Sequence, residues 1–461
     1  MRKATRTISG VTPVAVMAKP HPCPGRCVYC PSADGAPKSY TPESPAVLRA
    51  LRCDFDPYEQ VRLRLRTLRD MGHPVDKVEL IVMGGTFLAY PVDYQYWFVK
   101  SCYDALNGVV SADLPSAIAL NESASLRCVG LCVETRPDWC GEAEMERLHD
   151  FGATRVELGV QTLDDRVHEL TLRGHGVAEV VEATARLRRH GFKVYYHWMP
   201  GLPGSSPEAD LTDTLRLFAE AQFRPDGLKL YPTVVVQGSQ LERWYLDGKF
   251  QPTDIAVMRD TLIQMKIMVP GYVRIARLMR DIPRKFILAG CDDLALRGTI
   301  RDRMKELGLT CQCIRCREYG HRVRDGWVVG EPELHVLSYD TPEGTEVMLS
   351  YEDAKGTLFG LLRLSLIERT MSPDGNPPVA TVRELHVFGP EVSLGGRSEG
   401  AAQHRGLGIA LLREAERLAA EEHGATSLRV LSGVGVREYY RNLGYTMEGP
   451  YAVKSLGTAS R

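Results

Sequence analysis

Three cysteines near the amino terminus stand at a spacing that suits a metal cluster. Cys23, Cys27 and Cys30 form a C-x3-C-x2-C pattern within His21–Pro31. Three thiolates can hold three irons of a [4Fe–4S] cube and leave the fourth iron without a protein ligand. The prolines and the glycine of this stretch exclude a helix and favour a tight loop. A zinc knuckle or three incidental thiols are the alternatives for the same spacing.

The open iron of such a cluster has a chemical use. It can chelate the amino and carboxylate groups of S-adenosylmethionine, and one electron from the cluster then splits the sulfonium into a 5′-deoxyadenosyl radical. A cluster with four cysteine ligands would only carry electrons. The spacing resembles that of the radical S-adenosylmethionine superfamily, so we expect a [4Fe–4S] cluster and S-adenosylmethionine as cofactors.

The composition is that of a soluble protein with several domains. The chain has 461 residues, is 44% hydrophobic and 25% charged, and has a net charge of -1. This length predicts about two to four domains. No apolar run approaches the roughly 18 residues of a membrane span, and the amino-terminal stretch Val11–Ala18 is too short for a signal peptide. Twelve cysteines, several at ligand spacings, indicate a reducing compartment, so we expect a cytoplasmic location.

Short apolar strands alternate with helical patterns from Val11 to about residue 270. This alternation predicts a parallel sheet, and six strands with the first leading into the cysteine loop predict a partial (β/α)6 barrel. The predicted strands are Val11–Met17, Val78–Met83, Gly130–Glu134, Arg155–Val160, Lys193–Met199 and Gly227–Tyr231.

Polar or glycine-rich residues follow several of these strands. Ligands of such barrels gather at the carboxyl ends of the strands, and glycines there let the backbone approach a ligand. Capping of the next helix is the plainer explanation for a polar strand end. The residues expected to contact cofactor or substrate are Gly84, Gly85, Thr86, Glu134, Arg136 and Gln161, and His197 lies within the fifth strand.

A second cysteine group lies near the middle of the chain. Cys311, Cys313, Cys316 and His321 form a C-x-C-x2-C-x4-H pattern. Four soft or borderline ligands at short range suit tetrahedral zinc, and because no separate base is apparent we expect structural zinc. A second iron–sulfur cluster is the alternative, and spacing alone does not decide whether His321 is the fourth ligand.

Basic residues are concentrated in two places. The first 33 residues contain no acid, and Arg274–Lys305 carries nine basic residues against four aspartates. A solvated surface is the plain explanation. We favour contact with a nucleic-acid phosphate backbone for the second stretch.

The pattern after Glu331 predicts an antiparallel sheet followed by a helix. A Gln-x-x-Gly-x-Gly turn before that helix aims backbone N–H groups and a positive dipole at a pyrophosphate. Together with the strand before it, this resembles the α+β acetyltransferase fold of the GNAT class, in which that strand pairs with the pantetheine arm of coenzyme A. Tyr440 could protonate the leaving thiolate, with Tyr439 as its competitor and a core role as the plain alternative. The turn residues are Gln403, Gly406, Leu407, Gly408 and Ile409.

The whole combination resembles the catalytic subunit of Elongator, the tRNA uridine acetyltransferase family, over nearly the full chain. The motifs that carry the resemblance are HPCPGRCVYCP, VDKVELIVMGGTF, ETRPDWC, VELGVQ, DGLKLYPT, RIARLMRDIP, RELHVFG, QHRGLG and SGVGVREYYRNLGY. The resemblance implies a radical domain at 1–275, a basic linker with the zinc segment at 276–330, and a GNAT-type domain at 331–461.

The resemblance also implies a reaction. The family modifies ring carbon five of the wobble uridine of tRNA: the radical takes hydrogen from the acetyl methyl of acetyl-CoA, the carbon radical adds to the uracil, and thioester hydrolysis leaves a carboxymethyl group. The implied partners are the anticodon region of tRNA and an electron donor, and the chain itself implies no membrane and no further Elongator subunit. Acetyl-CoA contacts are implied at Glu384, Leu385, His386, Val387, Leu407, Gly408, Ile409, Tyr440 and Lys77.

Two further expectations concern the acetyl-CoA site. Lys77 is expected at the mouth of the barrel, where an ammonium suits a phosphate or a thioester oxygen. The loop Pro390–Ala402 is expected to cover the acetyl-CoA site until tRNA arrives. The competing functions are a protein lysine acetyltransferase with a structural cluster, for which Glu384 or His386 would be the base, and a non-catalytic tRNA-binding scaffold.

Overall fold

The first sheet of the computed structural model is parallel and carries the amino-terminal part of the chain. The structure describes residues 7–367, 379–389 and 406–457. The seven strands run in the order β1-β2-β3-β4-β5-β6-β8. They are β1 (Thr12–Met17), β2 (Lys77–Met83), β3 (Arg127–Thr135), β4 (Arg155–Gln161), β5 (Lys193–Trp198), β6 (Gly227–Leu230) and β8 (Arg274–Arg277). Two further strands, β7 (Val234–Val236) and β9 (Ile287–Gly290), form a separate antiparallel pair. In the chain, β7 follows β6 and β9 follows β8.

Helices connect the parallel strands. Several begin at a side chain that accepts a hydrogen bond from the first turn, such as Asp56, which accepts from the Glu59 amide, with Pro57 as the first helical residue. Ser206 and Pro207 repeat this arrangement. The helices are α1 (Pro45–Leu51), α2 (Pro57–Asp70), α3 (Val92–Asn107), α4 (Leu114–Asn121), α5 (Glu142–Asp150), α6 (Asp165–Leu170), α7 (Val177–Arg189), α8 (Pro207–Ala219), α9 (Gln240–Leu246) and α10 (Ile255–Met268).

The predicted half-barrel is confirmed, with one strand more than expected. All six predicted strands are present and pair in chain order. A seventh strand, β8, adds to β6 and spans the predicted boundary at residue 275 between the radical domain and the basic linker. This strand has only four residues, of which two are arginines, so it lacks a clear apolar signal.

The second sheet is mostly antiparallel, in the order β10-β11-β12-β13-β14-β16-β15. Only β13 and β14 pair in parallel. The last two strands of the described chain form an antiparallel hairpin that turns at Gly449. The elements are β10 (Glu333–Thr341), β11 (Gly344–Glu352), β12 (Leu358–Ile367), β13 (Val379–Val387), α14 (Leu407–Arg417), β14 (Ser427–Leu431), α15 (Arg437–Arg441), β15 (Thr446–Glu448) and β16 (Tyr451–Ser455).

The two sheets share a core and a buried ion network. Apolar residues of the second sheet, among them Met348 and Leu431, belong to the same buried cluster as the barrel strands. Arg383 on β13 is fully buried and binds Asp226 through both terminal nitrogens, at 2.6 and 2.8 Å. It also contacts Glu346 at 2.7 Å. The acetyltransferase-like sheet is therefore held rigidly against the amino ends of the barrel strands.

The segment between the sheets is short and helical. It contains α11 (Leu296–Glu306), α12 (Ile314–Arg317) and α13 (Tyr319–Arg324). No helix in the described residues combines the length and the apolar character needed to cross a membrane.

Candidate active site

The three amino-terminal cysteines lie in a loop directly after β1 and line one cavity at the carboxyl ends of the barrel strands. The loop is tied to two neighbouring segments. Val28 donates its backbone N–H to the Thr171 carbonyl at 3.0 Å, and its own carbonyl accepts from the Leu241 amide at 2.8 Å. Cys23, Cys27 and Cys30 therefore line one cavity from a loop whose backbone is hydrogen-bonded on both sides.

The surroundings of Cys27 favour a thiolate. Arg173 donates from Nη1 to the Cys27 sulfur at 3.3 Å. Burial opposes ionisation of this thiol, but the charge and hydrogen bond of Arg173 outweigh it and lower the pKa of Cys27. Burial and the neighbouring Cys27 instead raise the pKa of Cys30 to about 11. Three thiols on one cavity, with a cation against one of them, fit a cluster held by Cys23, Cys27 and Cys30.

The strand ends contribute most of the remaining lining. The cavity is lined by six of the seven singled-out residues: Gly85, Thr86, Glu134, Arg136, Gln161 and His197. Gly84 does not line it, because it packs against Ala18, where a β-carbon would approach to 2.9 Å. The Thr86 hydroxyl lies 3.8 Å from the Cys23 sulfur. The strand-end rule therefore located the cavity wall correctly except at Gly84.

Gln161 carries the clearest sign of a missing partner. Its backbone has a φ of 76°, a left-handed conformation that non-glycine residues rarely adopt. Its Oε1 is buried and has no hydrogen-bond partner in the described structure. Strain and an unpaired acceptor on a cavity wall indicate a ligand-binding position.

Glu134 belongs to a charged network inside the barrel. Lys229 on β6 contacts Glu134 at 2.8 Å and also pairs with Glu157 on β4. Tyr40 donates to Glu134 at 3.1 Å, and the His197 ring lies 3.1 Å from Glu157. Two carboxylates and an imidazole could bind a metal, but the Lys229 ammonium already contacts both carboxylates.

This network continues towards the other end of the barrel. Arg155 lies 3.3 Å from Glu157 and pairs with Glu79, both within the barrel strands. Lys193, at the start of β5, contacts Glu384 of β13 at 3.3 Å. Polar side chains thus occupy the barrel interior between the cysteine cavity and the second sheet.

The edge of β13 has the form expected of a coenzyme A site. β13 pairs with β14 only from Ala380 to Val382, whereas its pairing with β12 continues to Val387. The two parallel strands therefore separate just before Glu384–Val387. Gly406, with a φ of 77°, precedes α14, which begins at Leu407. Gln403 and the loop 390–402 lie outside the described residues.

Glu384 and His386 are occupied by structural contacts. Glu384 contacts Arg363 at 2.8 Å as well as Lys193, and although burial opposes ionisation these cations hold the pKa of Glu384 well below its usual range. The His386 Nε2 lies 2.7 Å from the Ser9 carbonyl, so this nitrogen donates the hydrogen bond. Burial lowers the pKa of His386. Neither group is arranged as a general base.

The two tyrosines differ in burial and in their neighbours. Tyr440 is buried in the core of the second sheet, with its ring 5.7 Å from that of Tyr445. Tyr439 is 37% exposed, and its hydroxyl lies 3.3 Å from where a β-carbon of Gly408 would be. The tyrosine nearer to the predicted coenzyme turn is therefore Tyr439.

Lys77 does not lie at the mouth of the barrel, and that expectation is wrong. It is the first residue of β2, at the amino end of the strand, opposite to the cysteine cavity. Its register partner Arg127 contacts Glu438 of α15 at 3.5 Å. Lys77 thus lies at the end of the barrel that faces the second sheet.

The second cysteine group converges, but without His321. The sulfurs of Cys311, Cys313 and Cys316 lie within 4.8 Å of one another. His321 is not part of that group, and its Nε2 lies 3.5 Å from Glu318. Lys266 donates to the Cys316 sulfur at 3.7 Å. Three thiols this close fit a bound metal, while the fourth ligand predicted from spacing is not supported.

The basic stretch is largely neutralised within the protein. Arg277 contacts Asp281 at 2.6 Å, and Arg284 contacts Asp292 at 2.8 Å. Arg277 and Arg280 nevertheless line the cysteine cavity, together with Lys38. The cationic surface next to the site is therefore smaller than the sequence count suggested.

Sequence reasoning missed three buried residues of this site. Arg173, Glu157 and Lys229 all contact predicted residues, across long sequence separations. A signal existed for two of them: a single charge in the middle of an otherwise apolar parallel strand must face a polar interior.

The half-barrel and its three-cysteine loop define a radical SAM enzyme, to which a second, acetyltransferase-like sheet is joined. The protein-family model described as "Radical SAM superfamily" matches residues 21–218, and the model described as "Radical_SAM C-terminal domain" matches residues 225–306. A "tRNA uridine(34) acetyltransferase" of Dehalococcoides mccartyi is 56% identical over 99% of this chain and all of the relative. "Elongator complex protein 3" of Danio rerio is 41% identical over 98% of this chain and 85% of the relative.

A solved structure agrees with these relatives. The archaeal Methanocaldococcus infernus Elp3, solved with an amino-terminal deletion, has a TM-score of 0.85 and 41% identity, over 98% of this chain and all of that chain. The chain therefore belongs to the family of tRNA uridine(34) acetyltransferases that includes Elongator complex protein 3. It is an acyltransferase of the radical SAM superfamily.

Proposed function

We propose that this enzyme converts the wobble uridine of tRNA to a 5-carboxymethyl derivative, using acetyl-CoA as the carbon source. Cys23, Cys27 and Cys30 would hold the cluster, and the cluster with S-adenosylmethionine would supply a radical able to take one hydrogen atom from the acetyl methyl. The new carbon–carbon bond would replace the hydrogen on uracil carbon five, which would leave as a proton and one electron, and hydrolysis of the thioester would release coenzyme A. The observation that carries the proposal is the cavity shared by Cys23, Cys27 and Cys30 in a chain that also holds an opened β13 edge.

The chain's own residues would divide the work as follows. Cys23, Cys27 and Cys30 hold the cluster, while Gly85, Thr86 and Gln161 line the wall beside it. The unpaired Gln161 acceptor supports a hydrogen bond to a donor on the ligand, such as an ammonium or a ribose hydroxyl.

The acetyl-CoA site lies at the other end of the barrel strands. The β13 segment Glu384–Val387 and the Gly406–Ile409 turn would bind the pantetheine and pyrophosphate, with Lys77 and a tyrosine of α15 nearby. Glu384 and His386 bind barrel residues and so hold the coenzyme edge in position. The reaction requires the acetyl group and the uridine to meet, and the charged barrel interior lies between the two sites.

We assign fewer residues to tRNA binding and to zinc binding than the sequence predicted. Lys38, Arg277 and Arg280 at the cavity are the cations best placed for phosphates that flank the wobble uridine. Cys311, Cys313 and Cys316 would hold a structural zinc that stabilises the segment between the sheets. An external reductant would supply the electron.

Acetyl-CoA hydrolysis by the purified enzyme, with and without tRNA, tests this proposal. Stimulation by tRNA but not by lysine peptides is expected, and Cys27→Ala is expected to lose uridine modification. Acetylation of lysine peptides that persists in Cys27→Ala, with no effect of tRNA, would instead support the protein acetyltransferase. The two bases considered for that alternative, Glu384 and His386, are both engaged in structural contacts.

A further inference from the structure

We propose that Arg173 is the counter-charge of the iron–sulfur cluster and stabilises the reduced cluster through its contact with the Cys27 sulfur. This rests on the proposed assignment of Cys23, Cys27 and Cys30 as cluster ligands. Arg173 would act through the cluster and its cysteine, so it is a positioning residue whose role is electrostatic.

The backbone around Arg173 ties it to the cysteine loop. Arg173 follows α6 and a sharp turn at Leu172, whose φ is 55°. The same segment accepts, at the Thr171 carbonyl, the hydrogen bond from Val28 of the loop. One nitrogen of its guanidinium then donates to the Cys27 sulfur at 3.3 Å, and another donates to the Gly159 carbonyl.

The charge of Arg173 lacks an acidic partner. Arg173 is only 7% exposed, and within residues 7–367, 379–389 and 406–457 it forms no ion pair with a carboxylate. Its neighbour Arg136 is different, because Asp138 accepts two hydrogen bonds from it at 2.8 Å. A buried cation without a carboxylate is costly unless another anion faces it.

A three-thiolate cluster is such an anion. The sum of three thiolates and the iron–sulfide core is negative, and reduction adds one more negative charge. A guanidinium in contact with one of the ligating sulfurs therefore stabilises the reduced form more than the oxidised form. Charge near the sulfurs and hydrogen bonds to them are recognised determinants of cluster potential.

Redox titration of the anaerobically reconstituted enzyme, followed by electron paramagnetic resonance, tests the proposal. In Arg173→Gln the reduced fraction of the cluster at a fixed low potential should fall about tenfold or more, from the loss of a charge at contact distance. Arg173→Lys should stay close to wild type. Arg188→Gln is the control, because Arg188 on α7 is also buried but binds the Phe223 and Arg224 carbonyls and Glu343, and it should leave the potential unchanged.

A second variant moves the charge without removing it. A β-carbon on Gly159 would lie 2.4 Å from Arg173 Nη2, so Gly159→Ala should push the guanidinium from its place. We expect a shift in the same direction as in Arg173→Gln but smaller. This variant and Arg173→Lys carry the test if circular dichroism shows that Arg173→Gln is unfolded.

Each outcome decides the question. Equal potentials and equal iron content in wild type, Arg173→Gln and Gly159→Ala would overturn the proposal. Loss of the cluster in both Arg173→Gln and Arg173→Lys, with the fold intact, would also overturn it, because shape and not charge would then matter. Cluster loss in Arg173→Gln alone supports it. If wild type takes up no cluster, the ligand assignment and the proposed function fail instead, which a zero iron content reveals directly.

Discussion

Replacing Lys229 by methionine tests the charged interior of the barrel most sharply. The change removes an ammonium that lies between two buried carboxylates, Glu134 and Glu157. Removing one partner of a buried ion pair lowers the free energy of unfolding by about 3–5 kcal/mol, because the remaining charge stays buried without compensation. Glu157 would still have Arg155 at 3.3 Å, so we expect about 3 kcal/mol, the lower end of that range.

The loss should depend on pH in a defined direction. In wild type, burial opposes ionisation of Glu157, but Lys229, His197 and Arg155 outweigh it and hold its pKa well below the usual range. A carboxyl with a lowered folded pKa adds stability above its unfolded pKa of about 4.3. Without Lys229, burial raises the folded pKa of Glu157, and the carboxyl then destabilises the fold increasingly above that pH. The destabilisation should therefore be smaller at pH 5 than at pH 7.5.

Urea unfolding followed by tryptophan fluorescence at both pH values is the assay. Lys229→Met with Glu157→Gln should recover part of the loss, since the uncompensated charge is gone, and a double-mutant cycle should give a coupling of at least about 1 kcal/mol. Lys229→Met within about 0.5 kcal/mol of wild type, or strictly additive effects of the two changes, would refute the reasoning.

Three further predictions concern the metal segment, the coenzyme turn and the sheet interface. Cys316→Ser should reduce bound zinc by most of its stoichiometry, measured by mass spectrometry of the metal, whereas unchanged zinc would exclude the thiol group as its site. Tyr439→Phe should slow tRNA-stimulated acetyl-CoA hydrolysis more than Tyr440→Phe, which should mainly lower the melting temperature; the reverse order would restore the sequence-based choice. Arg383→Met should cost about 3–5 kcal/mol in urea unfolding, because Glu346 loses its arginine and Asp226 keeps only Arg363, at 3.4 Å; Asp226→Asn added to it should recover part of that cost. Burial raises and Arg383 lowers the pKa of Asp226, with a net value of about 2, so wild-type stability from this pair is present above the ordinary aspartate pKa of about 4 and is lost as pH falls towards 2. Acid unfolding of wild type that matches Arg383→Met across this window would contradict the assignment.

Features that depend on neighbours in sequence could be predicted. The three-cysteine loop follows from the spacing of residues 23–30, and the parallel strands follow from apolar runs between amphipathic helices. The strand-end rule then located Gln161 and Glu134 on the cavity wall without any coordinates. Long motif matches identified the family, which the relatives confirm.

Features that depend on how the chain folds in space, beyond neighbours in sequence, could not be predicted. His321 stands at ligand spacing, but it does not join the three sulfurs, which lie within 4.8 Å of one another, and the sequence spacing alone could not show this. Lys77 was placed at the wrong end of its strand because a motif gives no direction in space. Arg173 contacts Cys27 although 146 residues separate the two in sequence, and no local sequence pattern predicts such a pair. The domain boundaries at residues 275 and 330 remain predictions. Strand β8 spans residue 275, and one buried core contains residues from both sides of it.

Isotope transfer from acetyl-CoA tests the central claim most directly. The anaerobically reconstituted enzyme is supplied with S-adenosylmethionine, a reductant, tRNA and acetyl-CoA whose methyl group is fully deuterated. The account predicts one deuterium in the 5′-deoxyadenosine product and a carboxymethyl group that retains two deuteriums on the wobble uridine, both absent in Cys27→Ala. Unlabelled 5′-deoxyadenosine, or uridine modification that survives in Cys27→Ala, would contradict it.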